Sequence, residues 1–159
     1  MQNLVSFCFA ILFACLTLSA QSVNPEPPVQ TGLKDQFIGA WRLVWLEEEG
    51  ADGKPHRAEC EGLLVYTRDG HMSVQVMYRN TKPEEKAAAP VRYAQGGYEA
   101  SFGRYEIDDS HTFTFHVDGA LVRTLIGKDL KRVYELSGKE LIVKSPDPAE
   151  HWRVAWERY

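Results

Sequence analysis

The chain has 159 residues, with 18 Lys and Arg against 22 Asp and Glu, for a net charge of −4. No basic surplus is available to neutralise phosphates, so nucleic acid is not an expected partner. Apolar residues at 44% and aromatics at 11% are too plentiful for a disordered chain and suit one domain with one core.

The first stretch stands apart from that domain. Leu4 to Ala20 carries no charge and is dense in Leu, Phe, Ile, Val, Ala and Cys, and a Pro-rich segment follows Gln21. This is the layout of a secretory signal peptide, with Ala20-Gln21-Ser22 as a small-x-small cleavage site, although no Lys or Arg precedes the run. Two alternatives are an uncleaved signal anchor, for which the run is of marginal length, and a lipid anchor at Cys15, since Leu12-Phe13-Ala14-Cys15 loosely resembles a lipoprotein box. The expected organisation is a signal peptide at 1–22, a Pro-rich tether at 23–31 and a barrel domain at 32–159. Such a protein is exported, periplasmic or secreted, with no stable membrane span after cleavage. Cys8 and Cys15 leave with the signal, so Cys60 remains alone and no internal disulfide forms. Cys60 lies near His56, Glu59 and Glu61, but an unpaired cysteine at the start of a strand accounts for it without an activated thiol.

From Gly32 to Ile38 the chain allows one helical turn. Short strands with turn signals between them follow: Trp41–Glu48, Gly62–Thr67, His71–Met77, Arg104–Asp108, His111–Val117, Lys131–Leu136, Glu140–Lys144 and Trp152–Arg158. The fold class is all-β, and eight strands with short turns suit an up-and-down barrel, which leaves no open edge. A helical insertion is expected between the third and fourth strands. Thr81-Lys82-Pro83-Glu84 resembles a capping box, an Ala-rich stretch runs to Pro90, and a second piece places Tyr98 and Phe102 on one helix face before Gly103.

Turn chemistry sets the faces. A two-residue turn at Asp69-Gly70 puts Thr67 opposite Met72, Val65 opposite Val74 and Leu63 opposite Val76, all inward. Gly138-Lys139 pairs Leu136 with Leu141, Tyr134 with Val143 and Arg132 with Ser145, turning Arg132 and Tyr134 inward. A three-residue loop, preferred to two residues at Asp109-Ser110, sets Tyr105 against Phe113 on the apolar face. Trp41, Leu43 and Trp45 share a face, as do Trp152, Val154, Trp156 and Arg158. In a closed barrel the first and last strands are neighbours, so Arg158 over the Trp41 indole forms a structural closure through a cation–π contact.

The Gly39-Ala40-Trp41 start with a late Arg158 resembles the structural signature of lipocalins. More closely, the chain resembles the lipocalin-like domain family of short proteins, largely of unassigned activity. The segments that carry this are Phe37 to Leu43, Gly62 to Ser73, Phe102-Gly103-Arg104-Tyr105, Gly127 followed by Arg132, and Gly138-Lys139-Glu140-Leu141. The resemblance covers nearly the whole mature chain and implies a calycin-type barrel. Members often carry a His in the fifth strand; the inward position here is Phe115 and the neighbouring His116 is out of phase, so no catalytic His is carried across.

Function rests on the interior. An inward Arg132 must be paired, because an isolated buried charge is very costly. It either meets an internal carboxylate near the rim or clamps an acidic group of a ligand. The expected ligand-binding residues are Arg132, Tyr134, Tyr105, Met72 and Phe115, around a small hydrophobic or amphipathic molecule. No catalytic residue can be named. The five histidines lack metal-ligand spacing, no inward His is placed for haem, and no phosphate loop or nucleophile elbow is present, so neither a metal nor a cofactor is expected. Glu47-Glu48-Glu49 reads as a solvated strand end. Two other functions compete with binding: a metal-independent isomerase or cyclase in the same cavity, and an interaction module whose barrel is filled by its own large side chains, among them Trp41, Trp45, Phe113, Phe115, Trp152 and Trp156.

Overall fold

The computed structural model describes residues 28–79 and 97–159. Helix α1 (Pro28–Phe37) leads into strands β1 (Gly39–Glu49), β2 (Pro55–Arg57), β3 (Cys60–Tyr66), β4 (His71–Tyr78), β5 (Tyr98–Ile107) and β6 (Thr112–Ala120). A 3-10 turn at Arg123–Leu125 precedes β7 (Asp129–Ser137), β8 (Glu140–Lys144) and β9 (Trp152–Arg158). Neighbouring strands pair antiparallel in the order β2-β1-β3-β4-β5-β6-β7-β8-β9, and β1 also pairs with β9. Eight strands therefore close a barrel, and the three-residue β2 extends one edge of β1 beside Glu47, Glu48 and Glu49.

Several local expectations change. The signal segment, most of the tether and the Thr81–Glu84 capping box lie outside the described residues. The second helical piece does not reach Tyr98 and Phe102: both belong to β5, where they pair with Met77 and Ser73 of β4. Strand pairing satisfies this backbone and overrides a weak helical preference already diluted by Gly96 and Gly97. The single turn expected from Gly32 is instead a ten-residue helix that begins at Pro28, a residue suited to a helix's first position.

The β3–β4 connection is a three-residue loop, and this shifts every pair on β3 by one. Tyr66 faces Met72 and Leu64 faces Val74. Gly70 N–H donates to Thr67 O at 3.2 Å, Thr67 N–H to His71 O at 2.8 Å, and Gly70 sits at φ +90°, where a glycine is favoured. Tyr66 and Leu64 are therefore inside, and Thr67, Val65 and Leu63 are not. The β5–β6 loop has three residues as expected and both Tyr105 and Phe113 are buried, but Tyr105 pairs with Phe115 and Phe113 with Ile107. On β7–β8, Leu136 meets Leu141 and Tyr134 meets Val143; pairing stops at Lys144, short of Ser145.

A bulge in β1 between Leu43 and Trp45 has the largest consequence. One extra residue reverses the alternation. Trp41 is buried before it, Leu46 is buried after it, and Trp45 turns to the outer face, where the guanidinium carbons of Arg57 and Arg153 each lie 5.2 Å from its ring. The same reversal sends Glu48 inward.

Helix α1 closes one end. Phe37 is fully buried, with its ring centroid 4.8 Å from Tyr134, 5.1 Å from Tyr66, 5.8 Å from Phe113 and 6.4 Å from Tyr105. The helix C-terminal carbonyls are taken up by the residues that close the barrel. Trp41 Nε1 donates to Phe37 O at 2.8 Å, and Arg158 donates to Gln36 O and Ile38 O. Arg158 also stands 4.2 Å from the Trp41 ring centroid, a contact worth about 0.5–2 kcal/mol. Gly39, at φ +134°, makes room: a Cβ there would lie 3.0 Å from the Arg158 guanidinium.

Candidate functional site

The end opposite α1 opens into a cavity of about 580 Å³, within the range of small-molecule pockets. Its deep walls are apolar, from Leu64, Met72, Val74, Phe115, Val143 and Val154, with Tyr66 and Trp156 toward the floor. The Tyr66 hydroxyl is buried without a hydrogen-bond partner among the described residues, and burial, with Tyr105 second, pushes its phenol far above the usual tyrosine range.

Polar groups gather at the rim. Arg132 is half-buried; its guanidinium carbon lies 5.2 Å from the Trp152 ring centroid, and Nη1 donates to Lys131 O at 3.0 Å. Burial lowers its pKa, and the Glu150 carboxylate opposes that through space. Glu150 accepts a hydrogen bond from Trp152 Nε1 at 3.1 Å, which fixes the indole under Arg132. Across the mouth, Tyr78 donates its hydroxyl proton to Glu48 Oε1 at 2.6 Å. Burial first, then the bond to Glu48, pushes the Tyr78 phenol well up. Glu99 is also at the rim, its carboxyl raised by burial and by the nearby Glu48 charge.

Of the expected ligand-binding residues, Arg132, Met72 and Phe115 line this space. Tyr105 and Tyr134 do not. They point inward but pack around Phe37 in the floor, their hydroxyls spent on turn carbonyls, Tyr105 to Thr67 O at 3.1 Å and Tyr134 to Asp109 O at 3.0 Å. Glu48, Tyr78, Glu99 and Trp152 are rim residues that the expected set omitted. Reading β1 without its bulge hid Glu48. The others follow from topology: in an up-and-down barrel, residues at the strand ends away from the β3–β4, β5–β6 and β7–β8 turns share one mouth.

Cys60 opens β3 with no disulfide partner among the described residues, and burial with the Glu48 charge raises its pKa, the reverse of an activated thiol. His116 faces outward with Nδ1 2.6 Å from Asp129 Oδ1. Among the described residues, no group of three or more His, Cys, Asp or Glu is placed to hold a metal ion, and no helix is long and apolar enough to cross a membrane.

The profile of the lipocalin-like domain family matches residues 38–158. Similar solved structures include a redesigned β barrel, at 9% identity and a TM-score of 0.43, over 80% of this chain and 95% of that one. Another is a mutant of the fluorescent protein UnaG, at 12% identity and a TM-score of 0.39, over 79% of this chain and 97% of that one. No curated protein matches the sequence.

Proposed function

The chain belongs to the lipocalin-like domain family, and on that footing we propose that it holds a small amphipathic molecule in the barrel cavity, with an acidic group of the ligand facing Arg132. The observation that carries this reading is the cavity itself, about 580 Å³ of mainly apolar space with one guanidinium at its rim. Among the described residues the large aromatics gather in the floor and leave the upper barrel open, which disfavours a barrel packed solid by its own side chains. The apolar walls supply affinity by burial, about 25 cal/mol per Å² of ligand surface removed from water. The rim arginine supplies orientation.

Trp152 and Trp156 both line the cavity, so tryptophan fluorescence reports occupancy. Titration with dodecanoic acid and with dodecanol should give saturable quenching, tighter for the acid. Flat titrations with both would remove the binding reading.

We further propose that the domain works outside the cytoplasm after loss of residues 1–22, on the strength of the uncharged run Leu4 to Ala20 and the prolines after it. The intact mass of protein recovered from that compartment is the check. A mass beginning at Met1 would overturn the proposal.

A further inference from the structure

The rim carries two opposite charges that are held apart. Pairings Val133–Lys144, Lys144–Arg153 and Arg153–Glu47 run as one row across β7, β8, β9 and β1. One residue nearer the mouth, the inward row reads Arg132, Trp152 and Glu48, with Glu48 directly paired to Trp152. The indole thus stands between a guanidinium and a carboxylate on one curved wall. Neither charge neutralises the other. Arg132 is pinned on Trp152, and Glu48 is pinned by the Tyr78 hydroxyl at 2.6 Å. A ligand with a single charge in this mouth meets one pole and takes water from the other, whose contacts on the wall (the Tyr78 hydroxyl for Glu48; Trp152, Lys131 O and, through space, Glu150 for Arg132) replace that water only in part, which is costly. A head group with both charges meets both.

We propose that the cavity selects amphoteric amphipaths, whose apolar body fills the barrel while the head lies against Trp152 with its acid toward Arg132 and a protonated nitrogen toward Glu48. This rests on the cavity-binding reading above and names its ligand class. Glu99, on the same side of the mouth as Glu48 and Tyr78, sets a second carboxyl near where the nitrogen would sit.

The test compares dodecanoic acid with N-dodecyl-β-alanine, which adds a secondary ammonium two carbons from its carboxylate, by tryptophan quenching of the full domain and of Glu48→Gln. The substitution keeps an acceptor for the Tyr78 hydroxyl and nearly the same volume. In the unaltered protein the amphoteric ligand should bind roughly tenfold tighter, the scale of one charge-assisted hydrogen bond. In Glu48→Gln that margin should vanish while dodecanoic acid binds as well or better. Equal affinities in the unaltered protein, or a margin that survives the substitution, overturn the inference while dodecanoic acid binding still supports the cavity reading. Failure of both ligands to bind removes the inference and the reading together.

Discussion

Replacing Phe37 by Ala should lower the free energy of unfolding by about 3–5 kcal/mol, the range for removing a fully buried phenylalanine. Chemical denaturation reads it as a fall in midpoint at unchanged slope. The size follows from position. Phe37 is the fully buried side chain among the described residues of α1 and stands among four aromatic rings, in edge-on and tilted contacts between 4.8 and 6.4 Å, and each favourable ring pair adds about 0.5–1.5 kcal/mol beyond burial. Those neighbours cannot collapse into the space, because Tyr105 and Tyr134 are tied by their hydroxyls to turn carbonyls. Phe37→Leu, which keeps much of the volume, should cost far less. A loss under about 1 kcal/mol for Phe37→Ala would show that α1 is a detachable cover and that the barrel closes without it.

This plug shows how the fold could be read from the chain and where reading stopped. Alternating short strands and glycine-bearing turns led to eight strands in the right order, and the Gly138 turn led to the right pairs on β7 and β8. These are local signals, carried by residues two or three apart. The errors arose where one extra residue changed the phase. The three-residue loop at Arg68, Asp69 and Gly70 moved Tyr66 inside, and the β1 bulge exchanged Trp45 for Glu48. No residue type announces a bulge at Val44. Its cause is tertiary: β1 must serve β3 with its first half, β2 with its last three residues, and β9 along its other edge.

The candidate site was legible in direction and less so in depth. Alternation pointed Arg132, Tyr134 and Tyr105 inward. It did not separate the residues near the closed end from those near the open one. Tyr105 and Tyr134 precede turns that lie at the α1 end, so their rings became floor, whereas Arg132, one inward step nearer the mouth, stayed at the rim. Counting residues from each hairpin turn would have made that distinction, since strand rise is about 3.3 Å per residue.

Arg132→Met should weaken binding of dodecanoic acid by about 1.5–3 kcal/mol, roughly ten- to a hundredfold in affinity, while dodecanol binds nearly as before. Methionine retains an unbranched stem and packs on the Trp152 indole through its sulfur, so the wall keeps its shape. What disappears is the charge. The guanidinium rests on an aromatic face and a backbone carbonyl, and Glu150, which acts on it through space, spends a carboxylate oxygen on Trp152 Nε1. Burial lowers the pKa of Arg132, yet an arginine stays protonated throughout the working pH range, so the site presents a fixed cation whose solvation is incomplete. A carboxylate entering the mouth replaces missing water with a charge-assisted contact; an alcohol gains little there and depends on the apolar walls that both ligands share. Quenching titrations of the two ligands against the two proteins isolate the charge as a double difference. Equal losses for acid and alcohol would mean that Arg132 holds the rim together through Trp152 and does not read the ligand.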